Sequence, residues 1–362
     1  MFSKTLFKPL QQAFTKVLEV HAANKPNIYT GSLSGDKWRH KSAGTTLAYL
    51  ADANKSLELQ KLAQLNMSEW ALKKDALPKS VEVTNKDWGK ATLEATKKYG
   101  VSYSVLNMAN PQYPGGAFMR GARALEENMW NRTTCPYSLL DNIVYLDKAS
   151  NTFRYNETAR KLLEGKVKMT DAELEALKKS CGGADLPGYK VYFSREPRIC
   201  FRGPEEELIT PGFDDFAPNR HISDSARSYS HLAPKDVFPF YELRSAAPEL
   251  DAESQVLEGE ALEQYKVDLR HRIGAQLDTL ILEKQPNVIL GAWGCGAFKN
   301  DPHIVAKIYS EEIEKRAQFF QHILFPIINT GSKDNHGIFA EHLSGIKLGN
   351  VIAVGKNLAP NK

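Results

Sequence analysis

Residues 101–130, VSYSVLNMANPQYPGGAFMRGARALEENMW, constrain this chain more than any other stretch. Val101 to Met108 carries valine, leucine and tyrosine with one short polar break, the composition of a strand buried on both faces, as in a parallel sheet covered by helices. Asn107 and Asn110 bracket the end of that strand, and Pro111 and Pro114 stop regular structure. Gly115, Gly116 and Ala117 then offer a backbone that a phosphate or a sugar can approach closely. After seven intervening residues, Leu125 leads into Glu126 and Glu127, two adjacent carboxylates that invite acid/base chemistry.

On either side of this stretch the apolar pattern is that of an α/β chain. Apolar residues recur at helical spacing in Leu10 to Ala23, Thr45 to Ala53 and Leu57 to Leu72, with a Gly/Ser-rich turn expected at Gly31 to Gly35. Ser80 to Thr84 alternates as a short strand, and Asp87 to Tyr99 is a helix closed by Gly100. A strand–helix–strand unit therefore delivers the chain to Val101. Beyond Trp130, strands are expected at Asn142 to Leu146, Tyr189 to Ser194, Arg198 to Phe201 and Val237 to Ala247. Helices are expected at Tyr155 to Gly165 and at Thr170 to Lys179, the second opened by a Thr170/Glu173 capping box. Gly203 to Pro234 is rich in proline, aspartate, asparagine and serine, and a connection of that length is characteristic of a functional lid or of disorder.

A second glycine turn follows a long helix over Glu258 to Lys284, whose Leu262, Tyr265, Leu269, Ile273, Leu277 and Ile281 form a core face. The strand Asn287 to Ala292 ends at Trp293, Gly294, Cys295, Gly296, Ala297 and Phe298, ahead of Asp301, Pro302 and a helix from His303 to Ala317. A glycine loop between a strand and a helix N-terminus suits a diphosphate, because unpaired amides and the helix dipole both favour anions. A last strand is expected at His322 to Ile328 and a last helix at Asn335 to Leu343.

Together the two loops resemble those of macrodomains, and more closely those of macrodomain-type microbial poly(ADP-ribose) glycohydrolases. Asn107, Met108, Ala109 and Asn110 followed by Gly115, Gly116 and Ala117 resemble the Asn-Ala-Ala-Asn and triple-glycine stretch of that fold. Glu126 and Glu127 stand where the glycohydrolases carry Gln-Glu-Glu, and the second loop with its Asn300, Asp301 and Pro302 is similar to their second phosphate loop. Two positions depart from the pattern: Ala117 replaces the third glycine and Leu125 replaces the glutamine.

The resemblance implies a three-layer α/β/α macrodomain with a mixed sheet over residues 80–350, an N-terminal helical extension over 1–79 and an insertion over about 147–234. It implies that Glu127 is the acid/base, that Glu126 holds the neighbouring ribose and that Asn110 orients the distal one, with Asn107 also among the ligand-binding residues. The amides of Gly115, Gly116, Gly294, Cys295, Gly296 and Ala297 would face the two phosphates, with the Ala117 methyl beside the diphosphate and Phe298 over the distal ribose. The expected partner is ADP-ribose, as poly(ADP-ribose) or on an ADP-ribosylated protein. Hydrolysis of polymer, removal of single ADP-ribose units from a side chain, and binding without cleavage all stay open, though binding alone needs no acid.

Composition removes several other classes. A formal charge of +4 over 362 residues is too small to argue for a nucleic-acid stripe. Cys135, Cys181, Cys200 and Cys295 are scattered without a CxxC pair, and the nine histidines have no metal-ligand spacing, so neither a zinc site nor a cofactor is expected. A cytoplasmic, reducing compartment fits the cysteines. No apolar run approaches the roughly 20 residues of a membrane span, and no signal peptide is evident in the first 18 residues. That segment reads as an ordinary helix or, less well given Pro9 and its lack of arginine, as a targeting one.

Overall fold

The strand expected at Val101 to Met108 is shorter, Ser104–Met108, and it lies inside a six-stranded sheet with neighbours on both sides. The computed structural model describes residues 4–183, 186–207, 223–250, 257–329 and 334–349. In chain order the elements are α1 (Lys4–Ala23), α2 (Ile28–Ser34), α3 (Asp36–Ala51), α4 (Ala53–Leu72), β1 (Ser80–Thr84), α5 (Trp88–Tyr99) and β2 (Ser104–Met108). Then come α6 (Leu125–Arg132), β3 (Val144–Asp147), β4 (Thr152–Tyr155), α7 (Glu157–Leu163), β5 (Val167–Lys168), α8 (Asp171–Ser180), β6 (Tyr189–Lys190) and β7 (Tyr192–Cys200). The chain closes with β8 (Phe238–Ser245), α9 (Gly259–Leu282), β9 (Asn287–Ile289), α10 (Pro302–Glu314), β10 (His322–Pro326) and α11 (Asn335–Leu343).

The sheet order is β1-β10-β9-β2-β8-β7, parallel throughout except for the antiparallel edge strand β7. This is the expected three-layer mixed-sheet α/β/α architecture. On one face Leu106, Leu243, Val288 and Ile323 pack with Leu269 and Ile273 of α9, Val305 and Tyr309 of α10 and Phe339 of α11. On the other, Val105, Phe238, Phe240, Ile289 and Leu324 pack with α1, α3, α4, α5 and α6 through Phe14, Leu47, Leu59, Ala91, Met129 and Trp130. The period-two alternation of β8 assigns its residues to opposite faces: Phe238, Phe240, Glu242 and Arg244 toward α6, Leu243 and Ser245 toward α9.

Three local expectations change. Gly31 to Gly35 is not an open turn: Ile28–Ser34 is helical, capped by Asn27, and only Gly35, at φ +83°, breaks the path before α3. The strands expected at Tyr189 to Ser194 and Arg198 to Phe201 are largely one, β7, with a bulge between Ser194 and Arg198 that absorbs Glu196 and Pro197. The segment taken as an insertion thus supplies an edge of the main sheet. Of the connection at Gly203 to Pro234, residues 208–222 lie outside the described residues. Its two ends pair with each other, Gly203 N–H to Ser230 O at 2.7 Å and Tyr229 N–H to Pro204 O at 2.9 Å, and Glu205 forms a salt bridge with Arg39 of α3 at 2.8 Å.

The N-terminal helices are welded to α6 by buried polar groups. Arg132 at the end of α6 makes a fork of hydrogen bonds to Asp87, at 2.8 and 2.9 Å, just ahead of α5. Arg202 donates to the carbonyls of Ser42, Asn131 and Tyr229 and to the Thr46 hydroxyl, tying α3, α6 and the base of the long connection together. Burial alone would raise the Asp87 carboxyl, but the Arg132 charge and the N–H groups around it bring it below its usual range. Its contribution to stability is therefore present above about pH 4 and lost as pH falls through the lower folded value. Arg132→Ala strands Asp87 and should cost about 3–5 kcal/mol in urea denaturation at neutral pH; a loss near zero would show that the fork is dispensable.

Candidate active site

The first loop begins where β2 ends. Asn110 folds back so that its Oδ1 accepts the amides of Gln112 and Tyr113 at 2.8 and 2.9 Å, making the turn that the prolines demand. The loop then passes directly beneath α6. Gly116 has φ +57°, and a Cβ there would stand 2.4 Å from Glu127 Oε1, so the position admits no side chain.

The two glutamates at the start of α6 grip this loop. Glu126 Oε2 accepts the Asn110 amide at 2.8 Å, and its Oε1 accepts the Gly115 amide at 3.1 Å. Glu127 Oε1 accepts the Ala117 amide at 2.8 Å, whereas its Oε2 is buried with no hydrogen-bond partner among the described residues. The Gly116 amide donates to Tyr113 O at 2.9 Å. This corrects the expectation that Gly115 and Gly116 present amides to phosphate, because both, like that of Ala117, are already spent inside the loop. Asn107 is also corrected: it is fully buried, and its Nδ2 donates to Glu242 Oε1 at 2.8 Å beneath α6 instead of lining a cleft. Leu125 packs its side chain against the core on the α6 face.

Glu126 and Glu127 are only 3% and 7% exposed. Burial pushes the Glu126 carboxyl well above its usual range, the adjacent Glu127 pushes it further, and the Asn110 and Gly115 amides and the Arg244 charge pull back. Burial raises Glu127 too, offset by the Ala117 amide. Two carboxyls so close and so dry titrate as a unit and hold a proton to higher pH than an exposed pair would. Their roles differ by geometry. Glu126 has both oxygens occupied and acts as a clamp, while Glu127 keeps one oxygen with nothing to bond, able to give or take a proton.

The second loop leaves the same end of the sheet from the neighbouring strand β9, so both turns flank the carboxyl edge where ligands collect in open α/β sheets. Trp293 is fully buried and donates Nε1–H to Ser245 O at 3.0 Å, while the Ala109 amide donates to the same carbonyl at 3.1 Å. Gly294 has φ +76°, and a Cβ there would meet Asn300 and Ala247 within 2.7 Å. Asn300 staples the loop, its Nδ2 donating to the carbonyls of Pro248 and Gly294 and its Oδ1 accepting from Tyr265. Cys295 is 3% exposed with its thiol 3.6 Å from Trp293 O, a packed loop residue facing inward. The amides of Gly294, Gly296, Ala297 and Phe298 donate to none of the described residues, and a Cβ on Gly296 would meet nothing within 4 Å. Phe298 lies half-buried against the core beside them. Free N–H donors are therefore gathered on the second loop, ahead of the N-terminus of α10.

Arg132, Asp87, Arg202, Glu242 and Arg244 all support the site without having been singled out from the sequence, and Asn300, named there only as part of a motif, proves to be the staple of the second loop. Only the Glu242 and Arg244 pair left a legible signal, two opposite charges at i, i+2 inside an otherwise apolar strand. Among the described residues no group of three or more His, Cys, Asp or Glu is placed to hold a metal ion, and no helix is long and apolar enough to cross a membrane.

Fold and site together define an α/β chain with a carboxylate pair beside an amide-lined turn. Residues 39–165 match the family model for the catalytic domain of microbial-type PARG, a span that starts inside α3 and contains the first loop and both glutamates. The solved structures similar to the chain are bacterial poly(ADP-ribose) glycohydrolases, as the two loops led one to expect. The Thermomonospora curvata enzyme is 18% identical over 84% of this chain and 99% of that one, with a TM-score of 0.49. The same enzyme bound to the inhibitor ADP-HPD is 18% identical over 84% and 98%, with a TM-score of 0.47. The Deinococcus radiodurans enzyme in complex with ADP-ribose is 20% identical over 78% and 91%, with a TM-score of 0.45. Among curated proteins none matches the chain.

If the second loop receives an anion, Gly296→Val should weaken binding of ADP-ribose at least tenfold in calorimetry while leaving the melting temperature nearly unchanged, since its side chain enters open space. Gly294→Val should instead lower stability, because it strikes Asn300. Unchanged affinity in a folded Gly296→Val protein would place the diphosphate elsewhere.

Proposed function

We propose that the protein is an ADP-ribosylhydrolase that cleaves the glycosidic bond of a terminal ADP-ribose, as in poly(ADP-ribose). The observation that carries this reading is the division of labour between the two glutamates. A binding module needs amides and shape; it gains nothing from burying a carboxylate oxygen with no partner, which costs stability. A glycosidase gains a great deal. The leaving oxygen takes a proton as the bond to the anomeric carbon breaks, the sugar passes through an oxocarbenium-like transition state, and water is then activated on one face.

Glu127 performs both proton steps in this scheme through Oε2, giving the proton to the leaving group and accepting one from the incoming water. Glu126, fixed by the Asn110 and Gly115 amides, holds the loop under the ribose. The amides of Gly294, Gly296 and Ala297 receive the diphosphate, and Phe298 packs against the distal ribose. The scheme uses carboxylates and amides and calls for no metal ion. The four cysteines are buried thiols outside any disulfide, in keeping with a cytoplasmic, reducing setting.

Whether the bond lies in polymer or joins one ADP-ribose to a protein side chain depends on what the cleft accepts beyond the scissile bond. Polymer is the better-supported substrate, because residues 39–165 match the model for the catalytic domain of microbial-type PARG.

Glu127→Gln keeps the shape and the Ala117 contact and loses only the transferable proton. Release of ADP-ribose from labelled polymer should fall by a factor of roughly 10²–10⁴, with ADP-ribose affinity within a few-fold of the parent. Near-parental turnover in this variant would remove Glu127 from the role; polymer binding without turnover in the parent protein would return the chain to the class of binding modules.

A further inference from the structure

Directly beneath the first loop, on the face of the sheet that carries α6, lies a buried cluster of charges that the scheme above does not use. Arg244, wholly buried on β8, donates to Glu242 Oε2 at 2.8 Å, to the Ser138 hydroxyl and to Tyr155 Oη at 3.4 Å. Arg198 of β7 donates to the same Glu242 oxygen at 3.1 Å. Asn107 completes the Glu242 contacts from β2, where it is the register partner of Arg244.

The cluster touches the site through the backbone. The Ala109 amide donates to Ser245 O, and the Tyr155 amide to Gln112 O at 3.0 Å, so Arg244 and Tyr155 are seated under the segment that Glu126 clamps at Asn110. Within the cluster two arginines face one carboxylate. One positive charge is left over in a dry setting, where an uncompensated ion is expensive. Of the other titratable groups around it, burial keeps Cys135, Tyr155 and Tyr192 neutral. Asp141 sits at the half-buried outer edge, engaged by the Tyr192 hydroxyl at 3.1 Å. Among the described residues, the remaining acid that feels the Arg244 charge is Glu126, with Glu127 adjoining it.

We propose that Arg244 is a positioning residue that places a buried positive charge under Glu126 and thereby keeps one of the two glutamates ionised while the other holds the proton. Without that charge, burial would press the second carboxyl toward the neutral form as well, with only the Asn110 and Gly115 amides pulling the other way. The pair could then still donate a proton, but it would lack the carboxylate that Glu126 needs as a clamp and the base that activates water. Arg244 touches no substrate and acts through the pair alone. The inference rests on Glu126 and Glu127 being the reacting groups.

The test separates charge from packing. Arg244→Met removes the positive charge and should move uptake of the pair's second proton, and with it the acid limb of the kcat profile, to higher pH by roughly one to two units. Glu242→Gln leaves the arginines less compensated and should move the same limb to lower pH. Arg244→Lys should leave it close to the parent. Uptake of the proton is also read without substrate, by carbon-13 NMR of protein labelled at glutamate Cδ, with signals assigned through Glu126→Gln and Glu127→Gln. Limbs that move in the same direction in Arg244→Met and Glu242→Gln, or that stay in place, would overturn the proposal. If Arg244→Met does not fold, an unmoved NMR titration in Glu242→Gln overturns it alone. Opposed NMR shifts in a protein that hydrolyses no ADP-ribosylated substrate would uphold the charge device and reject the hydrolase reading.

Discussion

The site depends on one carboxylate that serves as a bracket. Glu126 accepts amides from Asn110 and Gly115, which lie sixteen and eleven positions upstream, and so closes a tight loop whose entry is set by β2 and whose exit is set by α6. The bonds run from backbone donors to an acid that is almost wholly buried, where each is stronger than in water and leaving one unmade is costly. With the bracket in place, the Ala117 amide falls on Glu127 Oε1 and the other Glu127 oxygen is left without a partner. The acid/base role proposed for Glu127 thus follows from how the loop is folded. The same folding decides which turn carries free donors, because the amides of Gly115, Gly116 and Ala117 are spent inside the first loop while those of Gly294, Gly296 and Ala297 donate to none of the described residues.

That arrangement sets what could be read from the sequence. The layered fold, the two loops and the paired glutamates were legible, because buried strands, glycine turns and helix faces are local patterns with local causes. The strand at Ser104–Met108, the capping box at Thr170 and the helix Asn335–Leu343 follow from neighbouring residues alone. What could not be read was where each polar atom spends its hydrogen bond. Asn107 looks the same in sequence whether it borders a ribose or serves Glu242 from below, and only the register of β2 on β8 decides. The Gly115 amide likewise looks free until Glu126 is known to reach it. The helix at Ile28–Ser34 was missed for a different reason: Gly31 and two serines suggest a turn, and Asn27 capping overrides them.

The division into an N-terminal extension and a catalytic body also looks different in three dimensions. Phe14, Leu47 and Leu59 lie in the same apolar cluster as Val105 of β2 and Trp130 of α6. Long-range polar bonds reinforce this packing, with the Thr46 hydroxyl on the Asn131 carbonyl at 2.7 Å and Asn66 spanning the carbonyls of Pro234 and Val237. A sequence pass separates these helices because the connection to β1 is polar; the core does not.

The shortness of α6 gives this packing its meaning. Eight residues of helix are too few to persist in water on their own, so the glutamates are carried on a peg that stands only because something holds its far end. Arg132 and Arg202 grip that end, and what they grip in turn belongs to α3 and to the approach to α5. The paired carboxyls and the residues that keep them upright therefore lie at opposite ends of one small lever. Damage to the distant end would be felt as lost chemistry, and a survey of inactive variants would point to places far from any ligand.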